Sequence, residues 1–367
     1  MKKSGLVLLT LMCLLCIPSI SIQAKQVKVG AFRYTYKIID KDTCNLTTVE
    51  VVNKKKAKVL RIPNTLGGRK VVKMSAPGLY DSNILGLYET DENTEIYPKE
   101  LIKQSRYVKE IILPDTLKTF ETSCFTHLPE LTKITIPALV TKGVETLKDN
   151  KWTSFKVSKN NKKYQVKNGF LLSKSGKTLY CYVEKVKDAI IPNGVKTIKK
   201  MALWGMDTYS IYLPKSVDSI GVWALQNGRA IGIKVSKKNK HYKMSGDCLY
   251  SKKSGRLVAA IHRKNTLTIP EGVTKLEYGI STLGGEFNSI KIAKSVQLLD
   301  FEWEFYILKG ESCQEEQAYG RLHFISTTPP NITYMHSDII YVPMKALTKY
   351  ISVLRRKGFK DVEIIGE

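Results

Sequence analysis

An apolar residue followed by proline recurs at Ile62-Pro63, Leu113-Pro114, Ile136-Pro137, Ile191-Pro192, Leu213-Pro214 and Ile269-Pro270, with Ile292-Ala293 as a degenerate copy. Prolines 114 and 137 are 23 residues apart, 192 and 214 are 22 apart, and 270 to 293 is again 23. A longer period of 78 residues relates 114 to 192 and 192 to 270, so a pair of short units plus an insert has been reused as one block. Residues 210–225, SIYLPKSVDSIGVWAL, spell the unit in full. Ile211 and Leu213 alternate with polar positions, the period of a strand with one buried face. Pro214 ends that strand, because it has no N–H to give a neighbouring ladder. Val217 and Ile220 follow at plus three and plus six, then a small-then-large pair, Ala224-Leu225, at plus ten and plus eleven. A unit this short cannot bury its own apolar face. Stacking the units buries a continuous core, which predicts a β-rich solenoid of short parallel strands in 22–23-residue coils.

The spelling resembles the BspA-type leucine-rich repeat, roughly an apolar strand followed by I-P-x-x-V-x-x-I-x-x-x-A-F. It runs through residues 63–79, 114–125, 192–203, 214–225 and, more loosely, 270–280. The pairs Cys124-Phe125, Ala202-Leu203 and Ala224-Leu225 keep the small-then-large ending, mostly with leucine for phenylalanine. Residues 140–151 lose the regular spacing, and Ala293 replaces proline. The resemblance implies a leucine-rich-repeat-like solenoid in a secreted or surface-displayed bacterial protein that adheres to host or microbial ligands. It implies no catalytic residues.

Two segments between the repeats align with each other at the same 78-residue offset: YQVKNGFLLSKSGKTL from Tyr164 and YKMSGDCLYSKKSGRL from Tyr242. Each reads as an inserted β-hairpin, with the turn supplied by Gly176 in the first. The expected organisation is a signal peptide over 1–24, a strand-rich cap and first repeat over 25–80, and an irregular, locally acidic insertion over 81–107. The solenoid then spans 108–305, with hairpin inserts near 156–183 and 234–262, and a C-terminal cap covers 306–367. A short helix is expected over 98–105, and an amphipathic helix over 345–356 after a strand at 339–342. Solenoids need such caps to hide their last apolar faces.

Lys2-Lys3, the apolar run 6–17 and Ala24 at a cleavage position have the order of a secretory leader, so export with a mature start at Lys25 is expected. The run is too short for a stable membrane span. Beyond it lie five scattered cysteines, Cys44, Cys124, Cys181, Cys248 and Cys313, with no paired spacing. Cys124 and Cys248 read as small buried apolar residues rather than reactive thiols. Net charge is +26, mostly from lysine, a hydrated point charge rather than the bidentate fork that nucleic-acid readers favour. An anionic polysaccharide is therefore an expected partner, with no specific nucleic acid, and the resemblance implies a host or microbial surface protein as the other.

Chemistry-bearing patterns are scarce. The histidines, His127, His241, His262, His323 and His336, make no i,i+4 pair and no H-E-x-x-H, so no metal and no cofactor are expected. No G-x-S-x-G elbow or phosphate-binding glycine loop occurs. Glu302 and Glu304 flank Trp303, and an exposed acidic edge is the plainer reading of that pair. The expected role is a non-catalytic, exported binding or adhesion protein. The alternatives are a hydrolase with its site in the C-terminal cap, around residues 311–317 and His323, or a periplasmic structural scaffold.

The candidate ligand residues fall in two groups. Residues 156–177 hold seven lysines and no acidic residue, and 234–256 hold eight basic residues against Asp247. Lys162, Lys163, Lys237, Lys238 and Lys240 carry the expected charge, and Tyr164 and Tyr242 beside them are expected to stack on sugar rings. Equivalent places on successive blocks would let one flexible polyanion bridge both clusters. The second group, two residues before each anchor, includes Arg61, Tyr212 and Lys291, expected to line up on the exposed strand face.

Overall fold

A computed structural model of the chain describes residues 24–75, 102–103, 107–125, 130–147, 153–184, 186–206, 208–227, 229–284, 287–301, 321–335, 337 and 339–367. The repeat strands stack in parallel, as the spacing predicts, and form a leucine-rich-repeat solenoid. Their main row comes in three segments. Val59–Arg61, Glu110–Ile112, Lys133–Ile136 and Ser154–Val157 form the first, and Asp188–Ile190, Ser210–Leu213 and Gly232–Val235 the second. Thr266–Thr268, Ser289–Ile292, Arg321–Phe324, Ile339–Val342 and Glu363–Gly366 form the third.

Register places the apolar positions directly on one another. Leu60, Ile111, Ile134 and Phe155 stack in the first segment, and Ala189, Ile211 and Ile233 in the second. Leu267, Ile290, Leu322 and Ile340 stack in the third, and all of these residues are buried. After Pro114, Pro192, Pro214 and Pro270 the chain turns with the same hydrogen bond, from the plus-three N–H to the proline carbonyl: Leu117 to Pro114, Val195 to Pro192, Val217 to Pro214 and Val273 to Pro270. Val296 makes it to Ala293, so the degenerate copy keeps the geometry without proline.

The plus-six residues then build a second, shorter row of strands that the sequence reading treated only as core positions. Ile198 pairs with Ile220, and Met74 of the N-terminal cap pairs with Phe120. Leu276 pairs with Leu299, and Leu299 with Ile332. The coil at residues 140–147 continues although its spacing is lost. Lys142 bridges Thr119, and Val140, Val144 and Leu147 are fully buried. Gly143 stands where an apolar residue is expected because the Phe120 ring already fills that space. A Cβ there would collide with the ring and carbonyl of Phe120, and φ is +98°.

Both inserts contain one strand more than a hairpin. Tyr164–Lys167, Phe170–Ser173 and Thr178–Tyr182 form an antiparallel meander, as do Tyr242–Ser245, Cys248–Ser251 and Leu257–Ile261. Asn168-Gly169, with φ of 53° and 76°, makes the tight turn between the first two strands. Each meander's last strand joins the following coil in parallel, so the inserts belong to the solenoid wall.

The caps work through strand pairing. Lys25–Val29, Phe32–Ile38 and Thr43–Val51 form antiparallel pairs, and Arg69–Met74 lies parallel to the last of them. The expected helix over 98–105 is not present at Ile102–Lys103, which is a short strand beside Val49 and Glu50; the rest of that expectation lies outside the described residues. At the other end, helix Leu347–Arg356 follows strand Ile339–Val342, and Tyr350 and Leu354 are buried. A last strand, Glu363–Gly366, extends the main row.

Candidate functional site

The two lysine clusters are built on one repeated turn. In the first insert, strand Ser154–Val157 leads to Ser158, whose N–H donates to the Ile136 carbonyl at 2.9 Å. In the second, Ser236 donates to Leu213 at the same 2.9 Å. Asn161 and Asn239 then turn inward. Asn161 Nδ2 donates to the carbonyls of Pro137 at 2.7 Å and Val140 at 3.1 Å, and its Oδ1 accepts from the N–H groups of Lys163 and Tyr164, both at 2.8 Å. Asn239 donates to Pro214 at 2.9 Å and Val217 at 3.0 Å, and accepts from His241 and Tyr242, both at 2.8 Å. Both asparagines are buried, and all four hydrogen-bonding positions of each amide are used.

With the asparagine inside, its neighbours must face water. Lys162, Lys163, Lys237, Lys238 and Lys240 are exposed, as are Lys156, Lys159, Lys167, Lys174 and Lys177. These lysines make no ion pair among the described residues. Lys252 differs, since its Nζ donates to the Asn239 carbonyl at 2.6 Å and braces the turn. The acidic group expected to dilute the second cluster is itself occupied, with Asp247 Oδ1 lying 3.3 Å from Arg263 Nε.

The two tyrosines are not where the sequence reading put them. Tyr164 and Tyr242 are buried, and their rings pack in the core rather than facing a ligand. Tyr164 donates its hydroxyl proton to the Thr141 carbonyl at 2.7 Å. The Tyr242 hydroxyl donates to the Asp218 carbonyl at 3.3 Å and accepts from the Ile220 N–H at 3.1 Å, and burial raises its pKa. Each opens a meander and folds down over the coil below, so stacking on sugar rings is ruled out for both.

Arg61, Tyr212 and Lys291 do lie on the outward strand face. Arg61 is in register with Ile112, Tyr212 with Ile190 and Lys234, and Lys291 with Thr268 and His323. They sit in three different segments of the main row, however, so they do not form one continuous ladder. The row breaks where the third coil of each block leaves for its meander. Beside the first break is an open depression of about 350 Å³ lined by Lys156, Lys159, Gln165 and Lys174. A second, of about 440 Å³, has mixed charge from Lys167, Glu184 and Asp188.

Among the described residues, no group of three or more histidine, cysteine or carboxylate side chains is placed to hold a metal ion. Residues 302–320, which carry the Glu302/Glu304 pair and the 311–317 stretch, lie outside the described residues. His323 stacks on Tyr341 with centroids 4.3 Å apart and planes at 6°, and its Nδ1 is 3.3 Å from Glu367. Cys44, Cys124, Cys181 and Cys248 are all buried. Burial, with Asp247 nearby, pushes the Cys248 thiol up to about 12. No helix among the described residues is long and apolar enough to cross a membrane.

The crystal structure of the pneumococcal vaccine antigen PcpA is similar at a TM-score of 0.41 and 13% identity, over 94% of this chain and 98% of that one. A leucine rich cell surface protein from Faecalibacterium prausnitzii A2-165 is similar at 0.34 and 16%, over 75% of this chain and 90% of that one. A leucine-rich repeat protein from Bacteroides ovatus ATCC 8483 is similar at 0.28 and 13%, over 93% and 67% of the two chains. Among curated proteins, none matches this chain significantly in sequence. The family model of the BspA type leucine rich repeat region matches six copies, over residues 94–231 and 173–254. Stacked parallel strands, a repeated anchor turn and these copies together mark residues 94–254 as a leucine-rich repeat region of the BspA type.

Proposed function

We propose that this chain is an exported, non-catalytic binding protein that holds an acidic glycan on its two lysine turns. One observation carries the reading: a buried asparagine fixes the same turn twice, 78 residues apart, and each time leaves a set of lysines exposed to water. A hydrogen-bonded turn under exposed ammonium groups suits a flexible polyanion, which gains avidity from a second contact. The depression lined by Lys156, Lys159 and Lys174 adds a concave basic subsite beside the first turn. Cell fractionation with intact-mass measurement tests export, and a screen against acidic and neutral glycans tests the ligand class. A retained leader or equal binding to both glycan classes contradicts the proposal.

A second reading, a protein partner, is favoured by the outer face of the middle segment. Ile190 and Tyr212 pair in register there, and the neighbouring Tyr209 and Ile231 are linked by a 2.9 Å backbone hydrogen bond. These four are 57%, 37%, 53% and 64% exposed, an apolar patch of the kind that protein interfaces cover. Pull-down of surface proteins by wild type but not by Ile190→Lys with Ile231→Lys supports this reading.

A further inference from the structure

Three aromatic rings meet on residues outside the lysine turns. Trp204 and Trp223 have ring centroids 6.2 Å apart, and Trp223 and Tyr278 4.6 Å apart. The planes meet at 72° and 65°, edge to face, so the rings do not close into a stacked column. Trp204 remains 37% exposed and Tyr278 48%. They come from three coils locked by backbone hydrogen bonds: the Met201 N–H donates to Val222, and the Trp223 N–H donates to Gly279, both at 3.0 Å.

Stability alone does not favour this arrangement. Position plus nine is left-handed in all three coils, at φ of 55° for Met201, 49° for Trp223 and 90° for Gly279. Glycine adopts that backbone freely, whereas a bulky side chain is strained in it. One coil has glycine, and the middle coil keeps a tryptophan that joins the other two rings. Two cations bracket the trio. Lys200 Nζ lies 5.7 Å from the centre of the Trp223 ring, and Arg256 Nη2 donates to the Tyr278 carbonyl at 3.1 Å. Arg256 is partly neutralised by Glu277 at 3.3 Å, whereas Lys200 has no ion pair among the described residues.

We propose that Trp204, Trp223 and Tyr278 form a binding site for the sugar rings of an anionic polysaccharide, with Lys200 and Arg256 facing its carboxylate or sulfate groups. The C–H face of a pyranose is apolar and packs on aromatic surface, while its hydroxyl rim stays in water. Aromatic side chains suit that division, being large, rigid and wet at one edge. A row of rings on stacked coils meets a row of sugars, and the flanking cations favour an acidic chain over a neutral one. The inference rests on the same ligand class as the reading above but on different residues, so the two fail separately.

The test is titration of the protein with oligosaccharides of hyaluronate, polygalacturonate and heparin, read by tryptophan emission and by affinity at low and high salt. Wild type is expected to change its emission with at least one of them. Trp204→Ala with Tyr278→Ala is expected to lose about tenfold in affinity for that sugar, at both salt concentrations, because ring contact is not screened. Trp204→Phe with Tyr278→Phe keeps the rings and should remain within about threefold of wild type. Replacing Lys162, Lys163, Lys237 and Lys238 should leave the emission change intact. An alanine pair that melts and binds like wild type overturns the aromatic site alone. No emission change with any of the three sugars also overturns it, and no binding at all overturns both sites.

Discussion

Asn239 hangs from Pro214 of the preceding coil, its side-chain N–H bonded to the proline carbonyl at 2.9 Å across 25 residues of sequence. The same amide caps Val217 and receives the backbone of His241 and Tyr242, so one buried side chain joins the insert to the repeat. Asn161 does the same for the first insert through Pro137. Removal of either amide strands two buried carbonyls and the buried N–H of the following tyrosine. Asn239→Ala is expected to cost about 2–4 kcal/mol, measured by chemical denaturation, and Asn239→Asp should be no milder because it loses both donors.

Strand phase gives a second prediction. Ile211 is fully buried between Ala189 and Ile233, whereas Tyr212 is 37% exposed on the opposite face. Ile211→Asp should unfold at least its own block, at a cost of several kcal/mol, because it places an unpaired charge in a stacked apolar column. Tyr212→Asp should cost less than about 1 kcal/mol. Equal losses in the two denaturation curves would mean that the faces are exchanged.

Tyr164 and Tyr242 separate packing from binding. Tyr242→Ala should destabilise the fold by about 3–5 kcal/mol, as loss of a buried ring does. A ligand-stacking tyrosine would instead leave the melting curve unchanged and weaken only sugar binding.

Cys248 ties stability to alkaline pH. Its folded pKa stands near 12 against an ordinary 9.0, raised by burial first and Asp247 second. A raised value means the folded state holds its proton longer than the unfolded chain. This contribution is therefore whole below about pH 9 and is lost as pH rises toward about 12. Cys248→Ala should flatten the fall in stability across that window. In the native wild type, thiol reagents at neutral pH should leave Cys44, Cys124, Cys181 and Cys248 unmodified, since all four are buried.

The architecture is legible in the sequence because its signal is local and repeated. Ile211, Leu213 and Val217 state strand, stop and turn within seven residues, and the spacing says that the copies stack. The third strand of the first insert was also legible, since Asn168-Gly169 is a strong two-residue turn signal between apolar runs. The site was less so. Asn161 and Asn239 stand in polar, lysine-rich runs and look like loop, because their partners lie 21 to 25 residues away. Burial of Tyr164 and Tyr242 depends on the coil beneath them in the same way. The meeting of Trp204, Trp223 and Tyr278 needs the register of three coils, which spacing alone does not fix because an insert of variable path lies between the last two.

The claim that the lysine turns hold an acidic glycan predicts a definite salt dependence. Affinity for a heparin or hyaluronate chain should be measured for wild type and for Lys162→Glu, Lys163→Glu, Lys237→Glu and Lys238→Glu combined, between about 50 mM and about 200 mM salt. Wild type should lose on the order of tenfold or more across that range, as binding by several lysines to a polyanion does. The fourfold variant should bind far more weakly at the lower salt and show little further loss at the higher. A variant that keeps wild-type affinity and wild-type salt dependence would contradict the account.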